Sequence, residues 1–119
     1  MPARAESLPR KKIIRRRAVF DAARHRGRRV SNRWLALNFI ARDGVKSDEP
    51  GTVAFLTPKK LGAATVRNRL RRRMREIFRR HIGAGDGAKF LIWIARPPAL
   101  ELEFEELKER MIELRNRLN

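Results

Sequence analysis

Cysteine is absent from this 119-residue chain, which excludes disulfides, thiolate metal sites and a cysteine nucleophile together. Acids are scarce: 13 Asp and Glu stand against 30 Lys and Arg, a formal charge of +17. A compact domain with that imbalance repels itself, so a polyanionic partner is expected. Long apolar runs are also missing. Nothing approaches a membrane span, and no signal-length apolar stretch follows the basic N-terminus, so the cytoplasm is the expected location. What is present, 42% hydrophobic residues in a chain of single-domain length, suffices for one modest core. Lys and Arg displace counterions condensed on phosphates, which makes nucleic acid the leading partner class and an anionic membrane surface the alternative.

The positive charge is concentrated. Residues 59–80 carry ten bases and one acid, Glu76, and residues 10–33 carry eleven bases and one acid, Asp21. Residues 101–119, with six acids and four bases, carry none of the excess. Within the first of these runs Val66, Leu70, Met74, Ile77 and, loosely, His81 recur at steps of four and three. That spacing predicts a helix over 64–81 with one buried stripe, leaving Asn68, Arg72, Arg75 and Arg79 on the opposite, cationic side. An Arg-rich helix is often only a solvated face; the buried stripe makes this one a folded element that presents its cations outward.

The remaining elements follow from pattern and punctuation. Residues 1–12 read as a basic, mobile lead to a domain over 13–119. A short helix over 16–26 should stop at Gly27, with Phe20 and Arg24 on one face. Residues 34–41 (WLALNFIA) and 52–57 (TVAFLT) read as strands, expected to pair as an antiparallel hairpin around the turn residues at 43–44 and 49–51. The glycines of 83–87 read as a linker: no strand leads into them and no Lys-Ser/Thr follows, as a phosphate cradle would need. The near-continuous apolar run 89–95 (KFLIWIA) predicts a strand covered on both faces or central in its sheet. Phe104, Leu107, Met111, Leu114 and Leu118 give a final amphipathic helix over 103–118. The order points to an α+β sandwich.

No protein-borne catalytic centre emerges. Glu105, Glu106, Glu109 and Glu113 fall on the outer face of the last helix, where acids near the N-terminus favour the dipole. His25 and His81 lack partners at metal-ligand spacing, and Trp34 and Trp93 read as packing residues.

Lys59-Lys60-x-Gly62-x-Ala64-x-x-Arg67-Asn68-Arg69-x-x-Arg72-x-x-Arg75 resembles the "RNR" signature of the bacterial ribonuclease P protein family. Phe20 with Gly27 and Val30-Ser31-Asn32-Arg33 resembles that family's first helix and the entry to its first strand. Ile92 to Ala99 (IWIARPPA) resembles its last strand and the Ala-Arg-x-Pro-Ala that follows. The resemblance implies an α-β sandwich of order α-β-β-β-α-β-α with a left-handed β-α-β crossover, like the second domain of ribosomal protein S5. It implies that one protein joins one catalytic RNA, which with magnesium removes the 5′ leader of precursor tRNA, while the protein contributes no catalytic residue and binds no metal or small molecule. Lys59, Lys60, Arg67, Asn68, Arg69, Arg71, Arg72, Arg75 and Arg79 would then meet the catalytic RNA. Arg16, Arg17, Phe20, Arg24, Arg33, Ala36 and Asn38 would meet the leader, in a cleft between the first helix and the sheet. The chain departs from the family pattern at Arg24 and Asn38, often aromatic there, and at Pro58 and Ala63, often Ser and Asn. A structural, ribosomal-type RNA-binding protein without a role in cleavage is the alternative.

Overall fold

The computed structural model describes residues 10–118; the expected mobile lead therefore lies outside them up to residue 9. Arg10–Lys12 forms a 3-10 turn, and Ile13 bridges to Val53. The elements are α1 (Arg17–Arg26), β1 (Arg28–Ser31), β2 (Leu35–Ala41), β3 (Val53–Leu56), α2 (Ala64–Ile77), β4 (Lys89–Ala95) and α3 (Phe104–Asn116). They build one four-stranded sheet of order β1-β2-β4-β3 with helices on both faces. This is the α+β sandwich expected, in the expected order.

The expected hairpin between 34–41 and 52–57 does not form. β2 pairs antiparallel with β4, and β4 pairs parallel with β3, so β4 lies between them. The apolar run of β4 explains this: Phe90 to Trp93 are all at most 2% exposed, and only a central position covers both faces. The actual hairpin is β1–β2. Its turn is held by Asn32, whose Oδ1 accepts from the amides of Trp34 and Leu35 at 3.0 and 2.9 Å. β1 carries Arg28 and Arg29 and is an edge strand, where charge protects against further pairing. Those charges hid it from hydrophobic patterning, so residues read as the entry to a strand are its end and turn.

Strand alternation divides the core. Leu35, Leu37, Val53, Phe55, Leu91 and Trp93 face α2 and α3, where Leu70, Met74, Ile77, Phe78, Leu107, Met111 and Leu114 bury against them. Ile40, Ala54, Phe90 and Ile92 face α1 through Val19, Ala22 and Ala23. The α3 stripe is as expected. The α2 stripe needs two corrections. Val66 is 42% exposed: it lines an open depression between α2 and the turn Pro97–Glu101 instead of entering the core. His81 is exposed because Phe78–Ile82 is a π-helical turn, and this wider winding turns Ile82 toward the core in its place.

The connection between β2 and β3 is pinned by charge. Arg42 donates to the carbonyls of Gly87, Glu49 and Gly51 at 3.0, 2.8 and 3.2 Å, and its guanidinium stacks 4.4 Å from the Phe90 ring centroid. Glu49 is 3% exposed. Its carboxylate accepts from the amides of Arg15, Arg16 and Gly51 at 2.5, 2.6 and 2.8 Å, capping the approach to α1. Burial pushes its carboxyl pKa up, but the three amides and the Arg16 charge outweigh this and hold it below the ordinary 4.5. Stabilisation from Glu49 is therefore fully present above pH 4.5 and is lost as pH falls through the lower folded value. Glu49→Gln is expected to cost about 1–3 kcal/mol at neutral pH and to flatten the acid limb of a melting-temperature–pH profile. An unchanged acid limb would show that the capping carboxylate is not the group that titrates.

Candidate nucleic-acid interface

The cationic surface is built on α2 and the turn before it. Lys59 and Lys60 lie exposed in the 3-10 turn Lys59–Leu61. Gly62 follows with φ +122° and ψ −153°, a backbone region essentially reserved for glycine. Its carbonyl accepts from Arg67 Nε at 3.1 Å. Ala63 occupies the N-cap without a side-chain acceptor, so the first-turn amides of α2 are uncapped, and their dipole adds to the cationic field.

Beyond that turn the RNR residues separate into contact and support. Asn68, Arg69 and Arg72 are exposed; Arg67, Arg71 and Arg75 are half-buried. Arg71 donates through Nη1 to Thr57 Oγ1 at 2.6 Å and through Nη2 to Asn68 Oδ1. Asn68 thus orients Arg71 while its own amide N–H groups remain available to an acceptor. Arg79 is placed differently: only 18% of its side chain is exposed, and it pairs with Glu76 at 2.6 Å. Arg80 reaches the same carboxylate at 2.6 Å. The cationic face is therefore centred on the first three turns of α2.

The expected leader residues gather about the other side of the sheet. Strand register puts Ser31, Ala36, Ile94 and Leu56 in one row on the α1 face, with Arg29, Asn38, Ile92 and Ala54 in the next. Phe20, half-buried on α1, packs with Ile94 against this face. Ala36 and Asn38 lie on the expected side, but at 1% and 8% exposure they are floor, not wall. Arg29 covers Asn38, donating from Nε to Oδ1 at 2.6 Å. Arg24 and Arg33 are exposed, on α1 and in the β1–β2 turn. Arg16 pairs with Asp48 at 3.4 Å and Arg17 with Asp21 at 3.7 Å, both at the surface.

Arg29, Leu56 and Ile94 were absent from the residues inferred from sequence. Arg29 sits on the strand that patterning missed, and Ile94 and Leu56 fall in one row with Ala36, Ile94 between the other two, only through the register. Leu56 is 38% exposed at the end of β3. Only Thr57 and Pro58 separate it from Lys59, so the cleft row and the α2 turn are adjoining parts of one surface.

Among the described residues no cluster of three or more His, Asp or Glu could hold a metal ion, and no helix is long and apolar enough to cross a membrane. The acids of α3 serve the helix: Glu103 and Glu106 form a capping box, and Glu105 pairs with Lys108 at 2.8 Å.

A small α+β sandwich that displays an oriented arginine helix beside an aromatic-bearing sheet cleft has the character of an RNA-binding domain. The family model described as Ribonuclease P matches residues 8–119. The ribonuclease P protein component of Acidothermus cellulolyticus is 35% identical over 112 residues, which cover 93% of this chain and 91% of that one. The ribonuclease P protein of Staphylococcus aureus superposes with a TM-score of 0.76 at 25% identity, covering 91% of this chain and 95% of the other. That of Thermotoga maritima gives 0.74 at 25% identity, over 90% and 97%. The chain belongs to the ribonuclease P protein family, the protein component of a ribonucleoprotein endoribonuclease that acts in tRNA 5′ processing.

Gly62→Ala is expected to cost about 1–3 kcal/mol and to loosen the Arg67 contact. Chemical denaturation would read the first effect and filter binding of a bacterial ribonuclease P RNA the second. Retained stability would mean the turn relaxes to another conformation.

Proposed function

We propose that this chain binds the catalytic RNA of ribonuclease P, one protein to one RNA, through Lys59, Lys60 and the exposed and half-buried arginines of α2. The 5′ leader of precursor tRNA lies against the α1 side of the sheet. The observation that carries this reading is the continuity of the two surfaces across Leu56 to Lys59, which lets one protein touch two RNAs where they meet. Phosphates of the catalytic RNA would be met by Arg67, Arg69, Arg72 and Arg75 as point charges and forks. An unpaired leader base would stack on Phe20, with Arg24, Arg29 and Arg33 neutralising its backbone.

In this division of labour the protein breaks no bond. Its part is to lower repulsion between two polyanions and to hold the leader, while magnesium would be bound by the RNA. The reaction places the protein in the cytoplasm, with its substrate.

Adding the protein should restore cleavage of a 5′-extended precursor tRNA by a matched bacterial ribonuclease P RNA at low magnesium, at the mature 5′ end. Tight RNA binding with no gain in cleavage would instead support a structural RNA-binding role. If about six phosphates are neutralised, affinity for the catalytic RNA should fall on the order of 10³ between about 50 and 200 mM salt. Replacing Arg69 and Arg72 with Ala should weaken that assembly, whereas Phe20→Ala should reduce selectivity for leader-bearing tRNA with assembly nearly intact. The reverse pattern would exchange the two faces.

A further inference from the structure

Among the described residues the exposed large hydrophobics are Leu56, Val66 and Leu100. Leu56 belongs to the cleft. Val66 and Leu100 instead line a second depression of about 290 Å³, between the first three turns of α2 and the turn Pro97–Glu101, with Leu70, Ala99 and Leu102 among its lining. One wall carries Arg69 and Arg73, and the opposite wall carries Glu101 and Glu103. Opposite charges across a narrow groove would ordinarily close it as ion pairs. Here they do not: among the described residues Arg69, Arg73 and Glu101 have no ion-pair or side-chain hydrogen-bond partner. Glu103 is occupied in capping α3.

An apolar strip between unpaired arginines and an unpaired carboxylate matches three features of an amine-bearing nucleotide: the flat base, its exocyclic amine and the phosphate. We infer that this groove seats one unstacked, amine-bearing base of the RNA partner. The base lies against Val66 and Leu100, Arg69 and Arg73 meet its phosphate, and Glu101 accepts from its amine. Phosphate alone would leave the apolar strip bare. A carboxylate accepts well from cytosine N4 and repels the carbonyl that uracil presents at the same position. The site thus adds base selectivity to a face otherwise suited to sequence-independent phosphate contact, and it rests on the RNA partnership proposed above.

The test uses the full chain with its Val and Leu methyl groups labelled for NMR, titrated separately with CMP, UMP and inorganic phosphate. CMP is expected to shift the Val66 and Leu100 methyl signals several-fold more than UMP, and phosphate to leave them nearly unmoved. Glu101→Gln should erase the CMP–UMP difference, and Leu100→Ser should abolish both responses with the remaining spectrum preserved. Equal responses to CMP and UMP, or none at these methyls, would overturn the inference. In parallel, Leu100→Ser should bind a matched ribonuclease P RNA about tenfold more weakly. Unchanged affinity would overturn the groove assignment and leave the RNA partnership standing, whereas failure of the unmodified protein to bind that RNA would count against the partnership itself. Sedimentation showing a dimer that Leu100→Ser dissociates would overturn it too, making the groove a contact between copies.

Discussion

The parallel pairing of β3 with β4 is the constraint on which the rest of the molecule depends. Parallel neighbours cannot be joined by a tight turn; the chain must cross from one end of the sheet to the other. α2 makes that crossing, and to stay on the sheet it must bury Leu70, Met74 and Ile77 against one face. Burial fixes the rotation of the helix about its axis. Asn68, Arg69 and Arg72 are then directed to solvent whether or not a partner is present. The cationic face is thus a by-product of core packing, and its rigidity comes from apolar contacts on the far side of the helix.

Net charge by itself overstates the interface. Several ionic groups work inside the protein: Arg42 ties three loop carbonyls, and Glu49 gathers three amides. Arg96 donates to the Asn32 carbonyl at 2.8 Å and Arg117 to that of Ser31 at 2.9 Å, both securing the β1–β2 end. Arg79 and Arg80 share Glu76. Guanidinium groups are well suited to such work, since one planar fork satisfies several acceptors. Arginines such as Arg69 and Arg72 stay exposed on α2, and others such as Arg67 and Arg29 spend only one N–H on an internal acceptor; a count of basic residues does not tell these from the arginines tied inside the protein.

The helices were legible because each has a strong period. Leu107, Met111 and Leu114 are buried as spaced, and the α2 stripe fails only at its ends, at Val66, which borders an open groove, and at His81, where a π-helical winding replaces regular geometry. Strand pairing was not legible. Nothing in 52–57 states that β4 will arrive between it and β2, because strand order depends on which strand gains most from a central place. Arg28 and Arg29 concealed an edge strand for a related reason: edges favour the charges that patterning excludes.

From the sequence alone came the α+β class, the polarised charge, the outward side of α2 and the RNR spacing with its family resemblance. Each depends on residues near one another along the chain, so local period and composition suffice. Tertiary structure alone decided which cations remain unpaired. It put Ile94 between Ala36 and Leu56, covered Asn38 with Arg29, and set Leu100 against Val66 across a groove. Those neighbours are set by the register of a sheet whose central strand is the last one made, and by how helix and turn pack on it, neither of which local period or composition states.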